Sequence, residues 1–274
     1  MNTELIRIPT STHPLDGLYY TPDGPPKGGV IYFHGNQMNF YVCAARFLPA
    51  YITSLGYAFL AFNRRGHDSV STFDSREPVG GAFQTVAEGK EDNELAAAFM
   101  ASKGLANPIV IGHSNGGVLA SQFVADHPKT PALVLLSAHL GGNRLEKPSS
   151  ASRYTVTDGL PRLMARAQSL LDRNRPRDLM LIPTWWYVIS ARTFMDRLTN
   201  VPDLVENAKR IESPVLFVRG DQEPPQTYPA EAFKENCGGP CEIAIVENCD
   251  HFYVGAEESV ATTVQNWLSR TLAP

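Results

Sequence analysis

The sequence predicts an α/β fold: a mostly parallel eight-stranded sheet flanked by helices, with a helical cap inserted after the sixth strand. Three observations lead there. Short apolar runs alternate with helix-like segments along most of the chain, as in successive βαβ units. Runs such as VIYF (30–33) and LVLL (133–136) lack a period of two, so their strands are expected to be buried on both faces. Between 138 and 213 the alternation stops.

Taken in order, ELIRI (4–8) and LDGLYY (15–20), joined through Pro9 to Pro14, read as an antiparallel hairpin at one edge. Strands follow at 28–33, 57–62, 108–112, 132–137, 214–219 and 241–247. Helices fit between them at 41–55, 81–103, 116–127, 228–236 and 256–271. The interruption begins with GGNRLEKPSSASRYTVTDG (141–159), rich in Gly and Ser, and continues through helix-like 160–173, 184–198 and 202–212. The last of these opens with Pro202, where a helix tolerates proline best. No strand of comparable strength is expected in this stretch. Residues 1–138 and 213–274 are therefore expected to form the core, and 139–212 the cap.

Composition narrows the function classes. The 274 residues are 43% hydrophobic and 19% charged, with a formal net charge of −4. That balance gives no pull toward nucleic acid or an anionic membrane surface. The N-terminal MNTELIRIPTSTHPLDG lacks a basic start followed by an apolar run, and no stretch approaches the ~20 apolar residues of a membrane span. A cytoplasmic enzyme or binding protein for a small molecule is expected, with no nucleic-acid or membrane partner; a homodimer is compatible with the composition. Of the cysteines Cys43, Cys237, Cys241 and Cys249, the last three crowd toward His251, which invites a metal reading. A strand over 241–248 opposes it, because eight steps hold Cys241 and Cys249 about 26 Å apart.

The chemistry concentrates in IVIGHSNGGVLA (109–120). A strand ends at Gly112, a helix begins near Asn115, and Ser114 occupies the turn, giving G-x-S-x-G through Gly112, Ser114 and Gly116. Glycines remove Cβ atoms where strand and helix backbones approach, and the sharp turn presents the serine Oγ at the carboxyl end of the sheet. The helix N-terminus beneath offers free N–H groups to a developing oxyanion. Partners follow in the order that a serine triad takes on such a sheet: Asp221 or Glu223 after SPVLFVRG, then His251 after the strand ending in VENCD.

With these residues the sequence resembles the α/β-hydrolase fold family. The resemblance covers nearly the whole chain: His34-Gly35 after VIYF, NRRGHDS (63–69), GHSNGG at the elbow, the RGDQEP loop and Asp250-His251-Phe252. It implies an oxyanion hole formed by the backbone N–H groups of Asn36 and Asn115, and a lid at the position where the alternation breaks. Two departures stand out. The family's acid is commonly an Asp three residues after a glycine; here Gly220 plus three gives Glu223, which is preferred over Asp221, one residue after that glycine. SAHLGGNR, after strand six, offers no acid at the family's alternative position.

The expected reaction is acyl transfer to water through Ser114, His251 and Glu223, needing neither metal nor organic cofactor. Asp250 is read as an anchor of the histidine loop, Asp221 as a turn cap, His34, His113 and His67 as structural, and Arg64 and Arg65 as ion-pair residues that could also meet a substrate carboxylate. TWWYVISARTFM (184–195) supplies Trp185 and Trp186 as candidate pocket walls for a small aromatic or hydrophobic ester, joined by Met38, Phe40 and Tyr41. A carbon–carbon bond hydrolase, thioesterase, lactonase or amidase would use the same triad, and a hydrolase-like receptor would keep it without turnover.

Overall fold

The structure, a computed structural model, describes residues 1–143, 159–182 and 187–272. The strands are β1 (Asn2–Ile8), β2 (Leu15–Thr21), β3 (Gly29–Phe33), β4 (Ala58–Phe62), β5 (Ser71–Thr72), β6 (Pro78–Val79), β7 (Ile109–His113), β8 (Leu133–Leu136), β9 (Leu179–Ile182), β10 (Tyr187–Ser190), β11 (Val215–Gly220) and β12 (Cys241–Val246). The helices are α1 (Ala44–Ser54), α2 (Val86–Ser102), α3 (Asn115–Asp126), α4 (Leu160–Asp172), α5 (Ala191–Thr199), α6 (Leu204–Ala208), α7 (Ala230–Asn236) and α8 (Glu257–Thr271). The main sheet has eight strands in the order β1-β2-β4-β3-β7-β8-β11-β12. β1 and β2 form the antiparallel edge hairpin, β2 runs antiparallel to β4, and every later pairing is parallel.

The missing period of two has a direct cause. Along β3, Val30 and Tyr32 enter one apolar cluster, packed with α1 and α8, while Ile31 and Phe33 enter the opposite one, packed with α2, α3, α6 and α7. β7 splits likewise, with Ile109 and Ile111 on the first face and Val110 on the second. Both faces are covered, so both sets of side chains are apolar. Each such side chain contributes about 1.5–3 kcal/mol by leaving water.

Several element boundaries differ from expectation. α2 begins at Val86, later than the expected 81, because Thr85 makes a capping box: its Oγ1 accepts from Glu88 N at 3.3 Å and Glu88 Oε2 accepts from Thr85 N at 2.7 Å. The segment 184–198 is not one helix. Residues 187–190 pair antiparallel with β9, a hairpin where no strand was expected, and α5 starts only after Ser190, whose Oγ accepts from Thr193 N at 3.2 Å. In β9, Leu179 and Leu181 are exposed while Met180 and Ile182 are buried, so the period of two exists in burial but not in polarity. The expected helix 202–212 shrinks to α6, capped by Asp203, whose Oδ1 accepts from Val205 N and Glu206 N.

Within the inserted stretch, α4, β9, β10 and α5 enclose a small cluster of their own around Leu163, Leu170, Met180, Ile189 and Phe194. Leu204, Ala208 and Ile211 instead pack into the core beneath the sheet. The insertion grips the segment before α2: Ser190 N donates to Ala82 O at 2.8 Å, and Val86 N to Asp196 Oδ2 at 2.7 Å. Because β3, β4, β7, β8, β11 and β12 are parallel, their carboxyl ends open on one rim of the sheet, where ligand sites of such sheets lie.

Candidate active site

Ser114 sits between β7 and α3 with φ 54° and ψ −122°, a left-handed conformation that a non-glycine residue adopts only when its surroundings impose it. They do so by contact. A Cβ on Gly116 would lie 2.0 Å from Phe33 O, and one on Gly112 would lie 2.5 Å from Gly116 O, so neither position admits a side chain. Ser114 N donates to Leu136 O of β8 at 2.9 Å, tying the turn to the next strand.

His251, on the loop after β12, brings Nε2 to 3.1 Å from Ser114 Oγ and Nδ1 to 2.6 Å from Glu223 Oε1. Nδ1–H donates to the carboxylate, which leaves Nε2 free to accept from the serine hydroxyl. The three sequence-selected side chains converge. Glu223 is 4% exposed, and its second oxygen accepts from Gly220 N at 2.9 Å and from Ser137 Oγ at 2.5 Å. Since the Ser137 proton points at the carboxylate, the Tyr253 hydroxyl donates to Ser137 Oγ, at 2.7 Å.

The alternative acid has another job. Asp221 accepts from Asn248 N and Cys249 N, both at 3.0 Å, pinning the loop that carries His251. Those two amides hold the Asp221 carboxyl below the ordinary carboxylate range. Asp250 completes the loop, its Oδ1 accepting from Phe252 N at 2.9 Å and Val254 N at 3.2 Å.

The remaining histidines brace the rim. His113 is fully buried, and burial together with the neighbouring His251 pushes it down to about 3. It stays neutral and donates Nε2–H to His251 O at 2.9 Å. His34 Nδ1–H donates to Gly35 O at 2.8 Å, and its Nε2 accepts from Arg64 N at 3.0 Å. His67 Nδ1 pairs with Asp68 at 2.9 Å. The Arg64 guanidinium donates to His34 O, while Arg65 Nε donates to the buried Asp92 at 2.6 Å. Asn36 follows the Gly35 turn, and a Cβ on Gly35 would meet Met38 Sδ at 2.7 Å and Ser114 Cβ at 3.2 Å, so this loop and Met38 lie against the serine. Asn115 is the first residue of α3, where the amide has no partner within the helix. Phe40 faces the α1–α8 core and stacks edge-on against Tyr41 at 5.2 Å. Trp185 and Trp186 lie outside the described residues. A cavity of about 570 Å³ lined by Arg7, His13, Phe73, Phe83 and Arg177 touches none of Ser114, Glu223 or His251.

A sequence model of the alpha/beta hydrolase family matches residues 30–263. The chain belongs to that family. A bifunctional esterase/perhydrolase of Acinetobacter calcoaceticus is 25% identical over 246 residues, covering 78% of this chain and 80% of that protein. Est1E from Butyrivibrio proteoclasticus, solved with ferulic acid bound, superposes with TM-score 0.69 at 19% identity over 98% of this chain and 100% of that one. A soluble variant of monoglyceride lipase from Saccharomyces cerevisiae, with a substrate analogue, gives 0.70 at 14% identity over 99% and 96%. This alpha/beta hydrolase is an enzyme of the hydrolase class, and among its described residues no helix is long and apolar enough to cross a membrane. The sequence motifs do not include the partners of the acid, Ser137 and Tyr253. Ser137 stands directly after LVLL at the carboxyl end of a buried parallel strand, a position that itself signals a site residue.

Proposed function

We propose that the protein hydrolyses esters of small aromatic or hydrophobic molecules through an acyl-enzyme on Ser114. The observation that carries this reading is the unbroken chain from Ser114 Oγ through His251 to Glu223, at 3.1 and 2.6 Å. His251 Nε2 takes the hydroxyl proton as Oγ attacks the ester carbonyl, and Glu223 stabilises the resulting imidazolium. The amides of Asn36 and Asn115 hold the oxyanion. The imidazolium returns its proton to the departing alkoxide, and water repeats the sequence on the acyl-enzyme, releasing the acid and restoring Ser114.

The esterase/perhydrolase relative and the ferulic acid held by Est1E support an ester and an aromatic ring in that role. Residues 139–212 act in this reading as a lid, with Trp185, Trp186 and Met38 selecting the substrate. Phe40, which packs against the α1–α8 core, is the fourth candidate in that role. Action in the cytoplasm on a small molecule belongs to the same proposal.

Hydrolysis of p-nitrophenyl acetate tests it. Wild-type protein turns over many times per site, whereas Ser114→Ala loses roughly 10⁴-fold or more in kcat. A burst of one product per site with no steady state would instead identify a receptor, and a Ser114→Ala variant of near wild-type rate would remove the serine from the mechanism.

A further inference from the structure

The triad acid has a second hydrogen-bond partner chain that runs away from the histidine. Tyr253 OH reaches Ser137 Oγ at 2.7 Å, Ser137 Oγ reaches Glu223 Oε2 at 2.5 Å, and Glu223 Oε1 meets His251 Nδ1 at 2.6 Å. Tyr253 and Ser137 are both fully buried. Both are non-glycine residues held at positive φ, 64° and 47°. Such backbone strain persists only where packing and hydrogen bonding over-determine the conformation. Ser137 stands at the end of β8, and its amide donates to Val218 O at 2.9 Å, which fixes its hydroxyl beside the acid loop. Tyr253 lies two residues beyond His251, so one end of the chain is tied to the loop that carries the base.

We infer that Ser137 and Tyr253 are positioning residues of the hydrolytic site, a hydroxyl pair that holds Glu223 in place and ionised while His251 cycles through its imidazolium. The inference rests on the triad reading above. Its physical basis is that a buried carboxylate stays charged at neutral pH only when donors satisfy it. Glu223 has three: Gly220 N, His251 Nδ1 and Ser137 Oγ.

The groups that surround this chain stay neutral or fixed over the working range. Burial pushes the Cys43 thiol up to about 12 and the Cys249 thiol up to about 11. Tyr32 and Tyr253 are raised well above the usual phenol range by burial, and His113 sits near 3. The Tyr228 ring lies 5.0 Å from that of His251, and Asp221 and Asp250 are engaged by loop amides. A change in the acid limb of kcat/KM therefore reports Glu223 and His251.

Removing the Ser137 donor leaves more negative charge on Oε1, which favours the imidazolium, and makes the carboxylate itself easier to protonate. Both effects move the acid limb to higher pH. Ser137→Ala is expected to raise that limb by about 0.5–1 pH unit and to lower kcat/KM roughly 10- to 100-fold, the range for a hydrogen bond to a charged group. Tyr253→Phe shifts it the same way by less, about 0.3 unit. Ser137→Gly separates this role from a structural one, because it removes the hydroxyl while relieving the positive φ. Its acid limb should match that of Ser137→Ala although its melting temperature differs.

Acid limbs of the variants that superpose on the wild-type curve, with activity tracking melting temperature, overturn the inference. If neither Ser137 variant folds, an unshifted limb in Tyr253→Phe overturns it alone. In each case an inactive Ser114→Ala shows that the triad reading survives, whereas an active Ser114→Ala shows that the triad reading itself has failed.

Discussion

The carboxyl rim of the sheet and the inserted stretch are built to different tolerances. At the rim, Asn36, Ser114, Ser137 and Glu223 follow strands whose every residue is buried, β3, β7, β8 and β11, His251 follows the half-buried edge strand β12, and the hydrogen bonds close from Tyr253 to Ser114. In the insertion, a two-stranded sheet leaves Leu179 and Leu181 exposed, and a small cluster of apolar side chains packs α4 against α5. Backbone strain follows the same division. Among the described residues, Gln37, Cys43, Asp68, Ser114, Ser137, Asn248 and Tyr253 hold positive φ in the segments that form the rim or brace it, while the other non-glycine cases, Asn107 and Asn174, are both asparagine, which tolerates it. A rigid sheet can hold strained residues in register for chemistry. The insertion has a core too small for that.

The sharpest way to break the comparison is at the rim. Glu223→Gln should cost roughly 10⁴-fold in kcat, as loss of the orienting acid does in serine triads, with little change in fold measured by circular dichroism. Gly116→Ala should fail on stability rather than chemistry. Its Cβ would lie 2.0 Å from Phe33 O, backbone that cannot yield, so a loss of about 4 kcal/mol or more in urea unfolding is expected.

Phe194→Ala tests the other region. It empties the insertion's own cluster and should cost about 3–5 kcal/mol there, read as faster hydrogen exchange confined to 160–199 while the sheet stays protected. Exchange rising equally in β7 and β8 would show that the two regions unfold as one. The last test concerns pH. Folded His113 is held near 3 by burial, against about 6.5 when exposed, so the unfolded chain binds the extra proton as pH falls. Its contribution is fully present above pH ~6.5 and is lost progressively on acidification, by up to about 1.4 kcal/mol per pH unit. His34, lowered in the same direction, adds to the slope. His113→Asn should flatten the fall in melting temperature between pH 6.5 and 4; an unchanged slope would assign it elsewhere.

How much of this was legible in the chain divides along the same line. The parallel strands were readable because a strand buried on both faces must be apolar throughout, and the elbow because only glycine fits at 112 and 116. Glu223 was readable as a spacing from Gly220, whereas Asp221, read as a cap of its own turn, accepts instead from the distant amides of Asn248 and Cys249. The hairpin β9–β10 was not, because Leu179, Met180, Leu181 and Ile182 are all apolar and burial alone distinguishes their faces. Ser137 and Tyr253 escaped because the end of a buried strand marks the rim without naming a partner, and a tyrosine after a histidine carries no signal, until the fold sets the two hydroxyls 2.7 Å apart.

The sequence by itself determined the alternation of strands and helices, the serine turn and the order of serine, acid and histidine, because these rest on local periodicity and on which residues tolerate a tight backbone. Only the tertiary structure decided which oxygen of Glu223 meets which donor, which protons sit on His113 and His251, and how the insertion divides between its own cluster and the main core. Those depend on contacts between residues far apart in the chain, and a hydrogen bond is specified by distance and direction in space rather than by separation in sequence.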